Sequence, residues 1–171
     1  MSRIPALTDT QAADARPLLD AVRAKLGMVP NIIRTLAHSP AALQGYLGLN
    51  EALAGGRLSA AERETVALAV GQANVCGYCL SAHSLMAKGA GLSPEAVIAA
   101  RQGEGTPLAA FARKVTLARG ALSAQDVDDA HLMGLSDAQI IEVIAHVALN
   151  TLTNYVNHIA GTEIDFPVVA V

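Results

Sequence analysis

Apolar residues recur at helical spacing through almost the whole chain, and no β-hairpin signal interrupts them. The breaks fall at Gly, Pro and Ser/Thr/Asp capping positions, which predicts an all-α fold of about nine or ten helices of ordinary length. The predicted helices are Thr10–Leu26, Pro30–His38, Pro40–Ala54, Ala60–Asn74, Val75–Gly89, Pro94–Arg101, Pro107–Arg119, Ala124–Leu132 and Asp137 to about Ala160.

Several starts carry their own chemistry. Ser39-Pro40, Ser93-Pro94 and Thr106-Pro107 each put a hydroxyl at the N-cap and a proline in the first turn, and Ser59 with Glu62 has the spacing of a capping box. The pairs Gly55-Gly56 and Gly89-Gly91 are expected to stop helices by allowing left-handed backbone. The tail Thr162–Val171, with Pro167, is expected to be extended and to clasp a neighbouring subunit.

Composition refines this picture. A chain of 171 residues fits one domain, here residues 1–171. Hydrophobic residues make up 52% but aromatics only 3%, so Ala, Leu, Val and Ile must fill the core and helices can pack closely. A mean hydropathy of +0.36 is high for a monomer of this size and points to a homo-oligomer that covers apolar surface. Twelve basic against 15 acidic residues give a formal charge of −3, with no basic run to follow a phosphate backbone, which argues against nucleic acid as a partner. The N-terminus lacks a basic start followed by an apolar stretch. The most apolar later segment, Val143 to Leu152, is interrupted by His146 and Asn150, so neither export nor membrane insertion is expected and a cytoplasmic location is.

Two cysteines cannot build a disulfide framework, but two thiols separated by two residues point to redox or metal chemistry. On a helix, residues three and four apart are rotated by about 60° and about 40°, so Cys76, Cys79 and His83 share a face. Cysteines at this spacing at a helix start bring their Cα atoms to about 5–6 Å, within reach of a disulfide. With Asn74 as cap and a helix beginning near Val75, free N–H groups and the positive helix end favour a thiolate. His83 can take the Cys79 proton, and Glu64, twelve residues before Cys76 on the preceding helix, can be aimed at His83 to complete a proton relay.

Zinc is the main chemical rival. Cys76, Cys79 and His83 supply three ligands, His158 is the one candidate for a fourth, and no second CxxC or HxxxH closes a tetrahedron. Covalent haem needs histidine directly after the second cysteine, where Leu80 stands. A faint repeat places Glu64, Cys76, Cys79 and His83 over Gln139, Thr151, Asn154 and His158 at an offset of 75, but only the histidine is identical.

The stretch from Leu58 to Ser93, LSAAERETVALAVGQANVCGYCLSAHSLMAKGAGLS, resembles the core of the alkylhydroperoxidase D (AhpD)-like proteins of the carboxymuconolactone decarboxylase superfamily. Their signature is Glu, CxxC and His at the spacing of Glu64, Cys76, Cys79 and His83. Asn31-Ile32-Ile33-Arg34 with Ser39-Pro40, Asn154-Tyr155-Val156-Asn157-His158 and Thr162-Glu163-Ile164-Asp165-Phe166-Pro167 are similar to the peroxidase-related subgroup. The resemblance implies an AhpD-like helical fold, a trimer or hexamer, and peroxide reduction without haem, metal or other cofactor in antioxidant defence. On that resemblance, Cys79 is expected to attack the hydroperoxide and Cys76 to resolve the sulfenic acid to a disulfide. The same resemblance implies that His83 and Glu64 relay protons and that a lipoyl-bearing or thioredoxin-like dithiol protein restores the thiols. Some AhpD proteins carry a histidine inside CxxC, where this chain has Gly77-Tyr78. The alternatives are a non-peroxidatic disulfide reductase or redox sensor, a decarboxylase-like lyase, and a helical module with a zinc or structural thiol site.

Overall fold

The structure, a computed structural model, describes residues 2–171. A 3-10 turn, Ala13–Ala15, leads into α1 (Arg16–Leu26), followed by α2 (Asn31–Leu36), α3 (Pro40–Ala54), α4 (Ala60–Ala73), α5 (Gly77–Gly89), α6 (Pro94–Gln102), α7 (Pro107–Leu117), α8 (Ala124–Leu132) and α9 (Asp137–Ala160). No strand occurs among the described residues, and no single helix there is long and apolar enough to cross a membrane.

The expected caps are present. The hydroxyls of Ser39, Ser93 and Thr106 accept from the amides of Ala42, Ala96 and Ala109, and Ser59 and Glu62 cap each other reciprocally. Sequence and structure part where a helix start was drawn too early. The predicted helix from Thr10 begins as an α-helix only at Arg16, because Pro17 has no N–H to donate and belongs in a first turn. Gly55 ends α3 at φ −89° rather than in left-handed backbone. The second glycine of that pair serves close approach instead: a Cβ on Gly56 would lie 2.6 Å from a Glu142 carboxylate oxygen, and that carboxylate accepts from the Arg57 and Leu58 amides.

Helix α4 is the hub. Seven consecutive residues, Thr65 to Gly71, are buried, so the helix is enclosed on all sides rather than amphipathic, and it packs against α5, α6, α7 and α9. On one flank Val66 and Val70 meet Phe111, Val115 and Val143; on the other Leu68 meets Leu80, Ala87 and Ala100. Ala69, Ala109, Ala112 and Ala130 are fully buried, which lets α4, α7 and α8 approach closely. The third cluster joins Leu19, Ile32, Ile33 and Leu43 to Cys76, Tyr78 and Cys79, so the thiols sit inside an apolar cluster.

The tail after α9 runs without helix back along its own chain. Asp165 accepts from the Tyr78 hydroxyl at 2.7 Å and from the Asn31 amide at 2.8 Å, the Val169 amide donates to the Ser81 hydroxyl, and Arg101 donates to the Ala170 carbonyl. Its last residue, Val171, lies against Gly77 and so roofs the start of α5.

Candidate active site

The turn between α4 and α5 positions the sulfurs. The Val75 amide donates to the Gln72 carbonyl and the Cys76 amide to the Gly71 carbonyl, the paired bonds of a Schellman motif. Such a motif needs left-handed backbone, and Val75 supplies it at φ +56° where glycine is usual. The strain is held beside the reactive residues. Helix α5 therefore begins at Gly77, not Val75; Cys76 is its N-cap, and Asn74 closes α4 rather than opening α5.

Both thiols are free and almost wholly enclosed, Cys76 at 1% and Cys79 at 3% exposure. The Cys79 thiol, set against the Cys76 sulfur, holds Cys76 down to about 6 against the opposing effect of burial; the Cys79 amide, the charge of His158 and the Asn157 carboxamide add to this. Cys79 is pushed well above the usual thiol range, first because its proton is held by Cys76 and then by burial. The resting negative charge thus lies on Cys76, where the sequence led us to expect it on Cys79. The main cause is the Cys79 thiol beside Cys76; the later helix start adds to it by placing Cys76 at the cap, where the Cys79 amide also lowers its pKa.

Glu64 and His83 meet as the spacing suggested. A Glu64 carboxylate oxygen lies 2.8 Å from His83 Nδ1 across the α4–α5 pair, with the two side chains 18% and 19% exposed. This bond fixes the imidazole through Nδ1, on the helix that also carries Cys79 one turn earlier. No hydrogen bond joins His83 to either sulfur among the described residues.

The third wall, α9, contributes residues that the sequence reading passed over. His146, Asn150, Thr153, Asn154 and Asn157 are all buried and follow helical spacing, so a polar stripe runs down the inner face of an apolar helix. At its far end the Asn157 carboxamide donates to Cys79 Sγ at 3.3 Å, and Asn74 donates to the Asn154 carboxamide oxygen at 2.8 Å. His158 holds the Asn74 carbonyl at 2.9 Å and stays exposed, so it braces the turn. At the near end burial and the Arg63 guanidinium hold His146 below the ordinary histidine range. The signal was available: polar residues at i, i+3, i+4 and i+7 from Asn150 mark one face of α9. Among the described residues no three His, Cys, Asp or Glu side chains converge as metal ligands, since His83 is turned to Glu64 and His158 to Asn74.

Residues 40–124, from α3 into α8, match the family model of the carboxymuconolactone decarboxylase family, and this stretch holds Glu64, Cys76, Cys79 and His83. The chain belongs to that family. A search of curated proteins finds no significant match. Among solved structures, an AhpD-core, peroxidase-related protein from Ralstonia eutropha JMP134 is 25% identical with a TM-score of 0.72, covering 95% of this chain and 93% of its own. A peroxidase-related protein from Silicibacter sp. TM1040 is 22% identical with a TM-score of 0.78, covering 94% and 91%. The debrominase Bmp8, solved as a cysteine-to-alanine variant with 2,3,4-tribromopyrrole, is 20% identical with a TM-score of 0.79, covering 96% and 92%. The all-helical fold is AhpD-like, and the debrominase shows that this fold carries more than one activity. Helix α9, with its asparagines, lies outside the stretch that the family model matches.

Proposed function

We propose that the chain is a thiol peroxidase that reduces organic hydroperoxides through a Cys76–Cys79 dithiol/disulfide cycle, with Glu64 and His83 as proton relay. The observation that carries this reading is a free, buried thiol pair at the start of α5 with, on the same helix, an imidazole held to the Glu64 carboxylate at 2.8 Å. Transfer of the Cys79 proton to the Cys76 thiolate moves the charge to Cys79, the sulfur one helical turn from His83. Cys79 attacks the peroxide oxygen, the O–O bond breaks, and protonated His83, held by Glu64, delivers a proton to the departing alkoxide. The Cys76 thiol then attacks the Cys79 sulfenic acid, forming the disulfide and releasing water. The two protons consumed come from Cys79 and His83, and the two electrons from the sulfurs. No metal or cofactor takes part.

A dithiol on a lipoyl-bearing or thioredoxin-like protein returns the disulfide to thiols, in the reducing cytoplasm and in an antioxidant role. Homo-oligomerisation is supported by Ile141, Ile144, Leu152, Tyr155 and Ile159, which line the outer face of α9 in the open; the molar mass in solution tests it and decides whether the assembly is the trimer or hexamer that the resemblance implies. The low Cys76 pKa also favours a second reading, a disulfide reductase in which Cys76 attacks a partner's disulfide directly.

The test follows organic hydroperoxide consumption with a dithiol donor in wild type, Cys76→Ser and Cys79→Ser. Turnover is expected in the wild type alone. A single equivalent should be reduced by Cys76→Ser, leaving a sulfenic acid on Cys79 that dimedone traps. Equal turnover in all three refutes the cycle; disulfide reduction without peroxide consumption favours the second reading.

A further inference from the structure

The α9 stripe leaves three buried polar atoms without partners: His146 Nε2, Asn154 Nδ2 and Asn157 Oδ1. Unpaired buried groups are costly, so a set of them on one helix face calls for a reason. Two of the three side chains are next to the thiols. Asn157 already donates to Cys79 Sγ at 3.3 Å, from a side chain buried against the sulfur. Asn154 is wholly enclosed, and the bond from Asn74 occupies its carboxamide oxygen. Its Nδ2 has no partner, and its carboxamide is among the groups that act to lower the Cys79 pKa.

We infer that Asn157 and Asn154 form a two-donor cradle that takes up the negative charge on the Cys79 sulfur during turnover, with Asn74 as the residue that orients Asn154. This rests on the reading of Cys79 as the attacking sulfur. At rest the charge lies on Cys76 and the cradle is half used. When the Cys79 proton passes to Cys76, one sulfur gains charge beside the Asn157 donor, with the unpartnered Asn154 donor on the same face of α9, in a site closed to water. Both carboxamides act to lower the Cys79 pKa, in keeping with this arrangement. Asn157 touches the reacting atom and is a catalytic residue on this account. Asn74, which reaches the sulfur only through Asn154, is a positioning residue.

The test reads Cys79 itself. In a Cys76→Ser background, where Cys79 is the only thiol, its titration midpoint is taken from the pH dependence of iodoacetamide alkylation. Asn157→Leu should raise that midpoint by about one to two units, the effect of losing one hydrogen bond to a charged group. Asn157→Asp should raise it further, since a carboxylate repels the thiolate that the carboxamide attracts. Asn74→Ala, at a half-buried position that touches neither sulfur, should raise it by less and provides a second variant if the Asn157 changes unsettle the fold. An unchanged midpoint in all three variants overturns the cradle. So does a common drift of both Asn157 variants to the ordinary thiol value, the mark of a site that has merely opened. Failure of the wild type to consume peroxide would instead refute the peroxidase reading and leave this titration intact.

Discussion

The location of the resting charge makes the sharpest prediction. The Cys79 thiol is the largest contributor to the low Cys76 pKa, and burial works against it. Replacing Cys79 by alanine deletes this donor while leaving Cys76 enclosed. A hydrogen bond to a charged group contributes about 1.5–3 kcal/mol, and about 1.4 kcal/mol corresponds to one pKa unit, so Cys76 should rise by about 1–2 units, from about 6 to about 7–8. Cys79→Ser keeps an O–H donor in nearly the same place and should leave Cys76 close to its starting value. The thiolate absorbance near 240 nm, followed through a pH titration, reads both variants directly. The wild type should titrate one thiolate per chain near pH 6 and hold the second proton into the alkaline range. A Cys79→Ala variant whose Cys76 still titrates near 6 would refute the shared-proton account and shift the cause to the helix start and His158.

Three further outcomes follow from the geometry. Cys76 is depressed in the fold relative to its ordinary value of 9.0, so its contribution to stability is fully present above pH 9.0 and is lost as pH falls through about 6; the melting temperature of reduced wild type relative to Cys76→Ala should rise across that window. Val75→Gly relieves left-handed backbone at an exposed position and should stabilise by about 1 kcal/mol in denaturant unfolding, the left-handed penalty of 1–2 kcal/mol less the extra freedom of glycine in the unfolded chain. Asp165→Ala removes an acceptor from the Tyr78 hydroxyl and the Asn31 amide, and should cost about 2 kcal/mol and expose the tail to limited proteolysis.

The helices and the Glu64–His83 contact were legible because each rests on local chemistry. Proline and hydroxyl caps mark starts, and a spacing that puts Glu64 and His83 on facing helices leaves few other places for either to go. The start of α5 was not legible, since a Schellman motif is ordinarily signalled by glycine and Val75 gives no such sign. That one shift of two residues moved Cys76 from inside the helix to its cap, where the Cys79 amide adds to the effect of the Cys79 thiol. The asparagines of α9 were visible as letters but not as a site. His146 and Asn150 registered only as interruptions of an apolar run, because a polar residue on an apolar helix declares its face only once the partner helix is known.

Placement of the charge on Cys76 at rest also bears on selectivity. A thiolate is the form that oxidants attack, and one kept constantly on the attacking sulfur would react with whatever reached it. Here Cys76 and burial hold the Cys79 pKa well above the usual thiol range, so on the proposed cycle a ligand that shifts its proton, or a site that better solvates charge on Cys79, exposes its reactivity. On the proposed cycle, the Asn157 bond to Cys79 favours the shift and the Glu64-bound imidazole supplies the proton to the departing oxygen. Proton position, rather than access alone, then gates the chemistry. In consequence Asn157→Leu should slow sulfenic acid formation on Cys79 while leaving the later closure of the Cys76–Cys79 disulfide little changed, because by that step the charge has left Cys79. Single-turnover stopped flow with one equivalent of hydroperoxide separates the two steps, and equal slowing of both would refute a proton-gated attack.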